Sequence, residues 1–233
     1  PSAAPSYDEA SVTTYKPEYS WNYEVGGHLK LAKDRVGIDF AAFWIECRDQ
    51  QLTVFPDGQA TGRMMSNAGR SRSRGAEISA SWDMLRLMSM SHLRLTANYG
   101  FTHAKFVEYD DFVGGEAVSY AGNYLPYAPQ HTASVGLVYS CWIGGRVLDE
   151  ITVSASWQGA GKIYWNEANT LSQNFYSQLN ASLELRKGDF SLGLWGKNLT
   201  NTEFNTFYFR SVGNDFISPG KPIRWGISLG FAM

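Results

Sequence analysis

The chain has 233 residues, of which 44% are hydrophobic and 15% aromatic, and carries a formal net charge of −2. That balance, with a pI near 6.1, excludes an electrostatic nucleic-acid binder. Mean hydropathy is slightly negative at −0.28, and no stretch approaches the roughly 20 apolar residues of a transmembrane helix, so any membrane passage has to be made by strands.

Pro1 opens a polar Ser/Ala/Thr-rich stretch up to Tyr15, with neither an initiating Met nor a signal peptide, and the expectation is a processed or excised piece. The first strand is predicted over 18–32, where Trp21, Tyr23, Val25, Leu29 and Leu31 alternate with Asn22, Glu24, Gly26, His28 and Lys30. A tight turn at Lys33-Asp34-Arg35 leads to a second strand over 36–54, and a long loop from Phe55 to Arg63 leads to a third over 64–82. The third strand holds a conflict. Alternation puts Arg70, Arg72 and Arg74 on the side of Ala76, Ile78, Ala80 and Trp82. If those apolar residues face lipid, the arginines climb the same face, with Arg74 roughly 26 Å along the strand from Trp82. A β-bulge at Gly75, between about Arg74 and Ala76, would turn them into the lumen. Otherwise the strand projects above the membrane and the arginines meet acidic lipid headgroups.

The fourth strand is predicted over 92–109, with Leu93, Leu95, Ala97, Tyr99 and Phe101 on one face, and the fifth over 125–142. The sixth covers 150–165, the seventh 175–187, the eighth 189–210 and the ninth 221–233. Connections near Leu85 to Ser91 and Ile143 to Asp149 are modest, and Lys187-Gly188-Asp189 is a tight turn. Asp110 to Tyr124, Asn166 to Asn174 and Ser211 to Gly220 are long and polar or glycine-rich. Short connections at one end and long ones at the other are the pattern of periplasmic turns and extracellular loops.

The closing strand states the fold class most clearly. Ile223, Trp225, Ile227, Leu229, Phe231 and Met233 share one face, and the other carries Arg224, Gly226, Ser228, Gly230 and Ala232. A soluble sheet sets large polar groups opposite its apolar face; here that face is mostly Gly, Ser and Ala, as in a barrel with lipid outside and a lumen inside. Segments of this kind sit near the roughly 9–11 residues a tilted strand needs to cross a bilayer. The expected fold is all-β, an antiparallel transmembrane β-barrel segment of about nine strands. An odd count implies part of a larger barrel, because single-chain bacterial barrels have even numbers.

Several pieces, in order and spacing, resemble the C-terminal portion of a TonB-dependent outer-membrane receptor. They are Tyr15-Lys16-Pro17-Glu18, Ser71-Arg72-Ser73-Arg74-Gly75-Ala76-Glu77 and Asn98-Tyr99-Gly100-Phe101-Thr102-His103-Ala104. Further on come Gly122-Asn123-Tyr124-Leu125-Pro126-Tyr127-Ala128-Pro129, Gly196-Lys197-Asn198-Leu199-Thr200-Asn201 and Pro219-Gly220-Lys221-Pro222-Ile223-Arg224. The resemblance covers nearly all of residues 1–233. It implies a 22-stranded barrel in the bacterial outer membrane, blocked by the protein's own plug domain, with the plug and the N-terminal strands outside this chain. It also implies energy from the TonB complex through a missing N-terminal segment. Contact with outer-membrane lipid follows, as does recognition by the barrel-assembly machinery through a terminal signal met by Arg224, Gly226, Leu229 and Phe231. A surface lipoprotein lid belongs to the glycan importers of the family. The implied function is import of a scarce nutrient: a metal chelate, haem, cobalamin or a glycan. The alternative is a small stand-alone barrel acting as an adhesin or interfacial hydrolase.

No catalytic, cofactor or metal site is expected. His28, His92, His103 and His131 lack metal-ligand spacing, and Asp110, Asp111 and Glu116 lack the repeated oxygen pattern of a calcium loop. Cys47 and Cys141 lie on different strands and are expected to be unpaired. Lumen-facing candidates are Glu24, His28, Glu77, Arg94, Asn98, Gln158, Glu184, Arg186 and Arg224, with Asp39 and Lys162 beside them; the plainer reading has them bonded to neighbours on the wall. Candidates for ligand contact in the loops are Phe112, Tyr120, Tyr124, Tyr164, Trp165, Phe207 and Tyr208, against the plainer reading of an aromatic girdle at the outer interface.

Overall fold

Alternating segments joined by turns or loops fold most simply as a meander, since each antiparallel neighbour is next in the chain. The computed structural model describes residues 16–54, 64–87, 90–113, 116–211 and 214–232. Its strands are β1 (Tyr19–Leu31), β2 (Val36–Val54), β3 (Met64–Leu87), β4 (Ser91–Glu108), β5 (Asp110–Val113), β6 (Glu116–Ser119), β7 (His131–Trp142) and β8 (Glu150–Ala160). They continue with β9 (Ile163–Tyr164), β10 (Ser172–Gln173), β11 (Tyr176–Lys187), β12 (Phe190–Lys197), β13 (Asn205–Ser211), β14 (Asn214–Pro219) and β15 (Arg224–Phe231). One 9-stranded antiparallel sheet runs β1-β2-β3-β4-β7-β8-β11-β12-β15, and three 2-stranded ribbons, β5-β6, β9-β10 and β13-β14, stand in its connections.

Residues directly opposite across a ladder share a face, so the register shows what the alternation achieves. One row crosses all the main strands as Leu31, Val36, Trp82, Leu95, Leu137, Ala155, Ala181, Gly196 and Trp225. The next row, on the opposite face, reads Lys30, Gly37, Ser81, Thr96, Gly136, Ser156 and Asn180. A continuous apolar face therefore backs a continuous face of small and polar residues. On the apolar side large side chains of interior strands stand exposed, with Ile78 at 47% and Val135 at 43% exposure, which is the state of residues that meet hydrocarbon rather than a core. The short connections, such as 32–35, 143–149 and 188–189, gather at one end, and the three ribbons lie in connections at the other.

Two short turns show how their end is closed. Gly188 takes φ 53 in the two-residue turn between Lys187 and Phe190, a conformation glycine adopts without steric cost. Asp149 clasps this turn to its neighbour. Its carboxylate accepts from the Lys187 ammonium at 2.7 Å and the Gly188 amide at 2.8 Å, which hold it below the usual carboxylate range, and its own amide donates to the Arg186 carbonyl at 2.8 Å.

The predicted strands all exist, but several have other bounds, the third running on to Leu87 rather than stopping at 82. The fifth starts at His131 rather than 125, because Pro126 and Pro129 have no N–H for a ladder and Tyr127 turns the chain with φ 61. Before that turn, residues 123–125 still run beside β4: the Phe106 amide donates to the Asn123 carbonyl at 2.9 Å and the Leu125 amide to Ala104 at 3.0 Å. The sixth stops at Ala160 rather than 165. The eighth stops at Lys197 rather than 210, where Asn198 leaves the sheet at φ 49. That asparagine is buried, and its side chain accepts from the Thr202 amide at 3.0 Å and donates to the carbonyls of Thr202 at 2.9 Å and Lys221 at 3.1 Å. It ties the end of β12 to the approach of β15.

The bulge expected at Gly75 is absent. Pairing runs unbroken through Phe43 to Gly75 on one side and Gly75 to Thr102 on the other, so Arg72 and Arg74 stay on the apolar face. Gly75 serves a different purpose: a Cβ there would collide with the Phe43 ring and the Phe101 carbonyl oxygen, so the glycine makes room for an aromatic ring lying across it. The irregularities of the β3–β4 ladder fall instead between Arg70 and Ser71 and between Asp83 and Leu85. Both cysteines are free, Cys47 in β2 and Cys141 in β7.

Two outcomes follow. With both native cysteines replaced by alanine, Ala121→Cys should react with an impermeant thiol reagent on intact cells and Asp189→Cys should not; the reverse labelling would invert the orientation. Leu229→Arg places a charge on the apolar face, at a cost of about 2–4 kcal/mol near the bilayer midplane, and should deplete heat-resistant folded barrel on gels far more than Ser228→Arg on the opposite face.

A concave polar face beneath an aromatic loop cap

The small-and-polar face of the sheet is the one that can meet a solute. Glu77 on β3, Asn98 on β4, Thr132 and Ser134 on β7, Gln158 on β8 and Gln178 on β11 line one groove of about 520 Å³. Neighbouring strands lie about 4.8 Å apart, so a single hollow shared by this many consecutive strands requires that face to be concave. Asn98 donates to the Ser134 hydroxyl at 3.0 Å. The side chains of Glu77, Gln158 and Gln178 make no hydrogen bond among the described residues, leaving a carboxylate and two amides for whatever fills the groove.

All nine lumen-facing candidates of the sequence stand on this face by register, but they divide by what they touch. His28 bonds Asp39, Arg94 lies 3.9 Å from Asp83, which also receives His92 at 3.0 Å, and Arg186 pairs with Glu184 at 3.2 Å and Glu150 at 3.9 Å. These groups are satisfied within the wall. Glu77, Asn98 and Gln158 meet in the groove, while Glu24 and Arg224 lie away from it on the strands at the two edges. Lys162 falls beyond β8, with its ammonium 4.6 Å from the Tyr164 ring centroid.

Above the groove the loops fold onto one another through rings. Trp165 and Tyr208 are buried with Ile163, and Phe106, Tyr109 and Leu125 form a second cluster against which Tyr120 packs. Tyr127 joins the connections: it stacks on Phe207 at 5.5 Å, meets Trp165 edge-on at 5.6 Å, and donates its hydroxyl to the Tyr208 carbonyl at 2.5 Å. Trp165 and Tyr208 therefore hold the cap together, whereas Phe207 at 42% and Tyr127 at 46% exposure keep ring surface free. Tyr124 and Tyr164 stack at 5.5 Å beside His103. His103 and Lys105 are opposite Arg74 and Arg72, so this stack sits on the apolar side, where a girdle belongs. The side chain of Phe112 lies outside the described residues.

Sequence reading missed Glu167. Burial is the main cause that pushes the Glu167 carboxyl above the usual range, with the negative charge of Asp111 adding to it. Its turn is fixed locally: Asn166 accepts from the Leu171 amide at 3.1 Å, and Asn169 at φ 56 accepts from the Tyr124 amide at 2.7 Å and donates to its carbonyl at 2.8 Å. The two asparagines flanking Glu167 were the available signal, since asparagine favours such turns. Among the described residues no group of three or more His, Cys, Asp or Glu is placed to hold a metal ion.

Comparison with known proteins places this geometry. A family profile described as TonB dependent receptor-like, beta-barrel matches residues 1–199. The chain is 26% identical over 194 residues to the pesticin receptor of Yersinia enterocolitica, covering 82% of this chain and 25% of that protein. It is 26% identical over 222 residues to the metal-pseudopaline receptor CntO of Pseudomonas aeruginosa, covering 92% and 28%. Among solved structures, the ferric yersiniabactin uptake receptor FyuA from Yersinia pestis superposes with a TM-score of 0.73 at 21% identity, over 92% of this chain and 30% of that one. The chain thus spans less than a third of the length of these relatives.

The half-buried Glu167 carboxyl sets a pH dependence for the cap. A raised pKa means that the packed loop binds the proton more tightly than the open loop, so packing is strongest in acid and weakens as pH rises through the shifted pKa. Trp165 fluorescence and proteolysis of the loop, followed from roughly pH 4 to 8, should show this weakening, and Glu167→Gln should abolish it. An unchanged pH profile in the variant would place the titrating group elsewhere.

Proposed function

Because the chain belongs to the TonB-dependent receptor-like β-barrel family, whose outer-membrane location it shares, we propose that it forms part of the wall and mouth of a receptor that imports a metal chelate. The named relatives are receptors and not enzymes, in keeping with a sequence that offers no catalytic arrangement. The observation that carries the proposal is the groove at Glu77, Gln158 and Gln178, whose polar groups are not consumed by the wall and which reaches Tyr176, a ring packed against the Trp165 and Tyr208 cluster of the cap. The exposed rings hold a solute by stacking at the mouth. The carboxylate and amides below offer hydrogen bonds, each worth about 0.5–1.5 kcal/mol net, to the solute in transit or to a plug domain of the same protein.

A metal chelate is favoured over haem, cobalamin or a glycan because two of the relatives are named for such complexes, metal-pseudopaline and ferric yersiniabactin. In this reading the plug fills the concave face, TonB supplies the energy through a segment outside these residues, and the ending at Arg224, Gly226, Leu229 and Phe231 is read by the assembly machinery. A lipoprotein lid is not part of the reading, since that device belongs to the glycan importers. The stand-alone adhesin or hydrolase is not favoured, because every relative named above is a receptor more than three times as long.

Deleting the gene should abolish growth on one ferric chelate in a panel of iron sources, cobalamin and glycans, and the full-length gene should restore it. Glu77→Ala with Gln158→Ala should assemble normally and slow uptake of that chelate by about 2- to 100-fold, the range set by one or two lost hydrogen bonds. Loss of growth confined to cobalamin or a glycan would overturn the metal-chelate assignment.

A further inference from the structure

The small-and-polar face holds a second groove, of about 420 Å³, nearer the short turns than the first. Thr96 on β4, Ser156 on β8 and Asn180 on β11 lie in its floor, each one lumen-facing residue closer to those turns than Asn98, Gln158 and Gln178 of the upper groove. The two hollows are therefore consecutive along the lumen, about 7 Å apart on a strand. The lower floor is neutral and spends its bonds on itself: the Ser154 and Ser182 hydroxyls meet at 2.6 Å, and Asn180 donates to Ser156 at 3.5 Å.

Its charge stands at one end, on β12. Lys197 lines the groove and is directly opposite Arg224 on β15. Like charges in that relation destabilise a sheet, and neither cation has a carboxylate partner among the described residues. Trp195 stands beside them on the same face, its ring centroid 5.9 Å from the Lys197 ammonium. The indole lies across Gly226, where a Cβ would come within 2.5 Å of it, and keeps 36% of its surface exposed. At the other end Arg94 is taken up by Asp83. Two unanswered cations beside a partly free ring call for a flat, negatively charged partner. The Glu77 carboxylate in the upper groove repels such a group and the cations of the lower one attract it, so the field along the lumen runs from the mouth inward. Between them the neutral floor holds a solute loosely, as passage requires.

We propose that the lower groove is a transit site for an anionic metal chelate, with its carboxylate or other oxyanion arms on Lys197 and Arg224 and its planar part on Trp195. The inference rests on the import reading above and narrows the solute to a chelate of net negative charge.

Cells carrying the full-length receptor are offered radioiron as two anionic chelates, ferric citrate and a ferric tris-catecholate, and as a neutral and a cationic ferric trihydroxamate. The wild type should take up an anionic chelate and neither trihydroxamate. For that chelate Lys197→Gln should slow transport by about tenfold or more, the loss of one hydrogen bond to a charged group; Lys197→Glu should slow it further, Lys197→Arg should stay near the wild type, and Trp195→Ala should slow it by a smaller factor. Surface binding in the cold should be unchanged in all four variants. Arg224 is left unaltered because it belongs to the ending that assembly reads. Should Lys197→Glu fail to give heat-resistant barrel, Lys197→Gln against Lys197→Arg carries the same comparison. Uptake confined to the trihydroxamates would overturn this inference and leave the import reading standing; uptake of none of the four would overturn it while growth on the panel of iron sources judges that reading separately. Transport indifferent to the charge at position 197, or a gain of vancomycin sensitivity in Lys197→Gln that marks a loosened plug, would overturn it as well.

Discussion

Every backbone N–H and C=O of a strand that crosses hydrocarbon has to find its partner in another strand, because the solvent offers none. This constraint explains why the chain is a meander of nine neighbours with long uninterrupted ladders. It also explains where irregular structure is allowed. The turn at Tyr127, the departure of the chain at Asn198 and the three ribbons all lie beyond the ends of the shared ladders. Where backbone groups leave the sheet they are taken up by specific side chains, most visibly Asn198, which serves both the end of β12 and the start of β15.

With the backbone satisfied, the two faces are free to answer different surroundings. The apolar face is bulky and unpaired, and its large residues gain by meeting lipid. The polar face is kept low by glycine, serine and threonine, so that the concave side retains space for a groove. Aromatic rings do two jobs at the loop end. Tyr127, Trp165 and Tyr208 convert separate connections into one packed cap, while the Tyr124–Tyr164 stack lies with His103 and Lys105 on the outside. Residue type alone does not separate these roles, since both use tyrosine beside a polar partner.

The arginines of β3 show how register overrides a local rule. A charge-bearing stripe on an apolar face suggests a switch of face, and glycine suggests the means. The unbroken ladder through Gly75 removes that option and keeps the arginines on the apolar face, where Trp44 lies against the Arg72 and Arg74 guanidiniums. The glycine answers to Phe43, a residue on the neighbouring strand thirty-two positions earlier in the chain.

The sequence by itself determined the strand count, the antiparallel fold, the two faces and the alternation of short and long connections, because each is written in a period of two and in local turn chemistry. It also placed Glu77, Asn98 and Gln158 on the polar face, as alternation fixes side but not neighbours. Only the tertiary structure decided which of the polar residues are consumed by the wall, as Arg94 is by Asp83, and which remain open, as Glu77 does. Only it decided that Tyr127 joins the loops and that Gly75 makes room for a ring. Those outcomes depend on which residues stand opposite one another across strands, and contacts between distant parts of the chain are set by register and loop packing rather than by any local pattern.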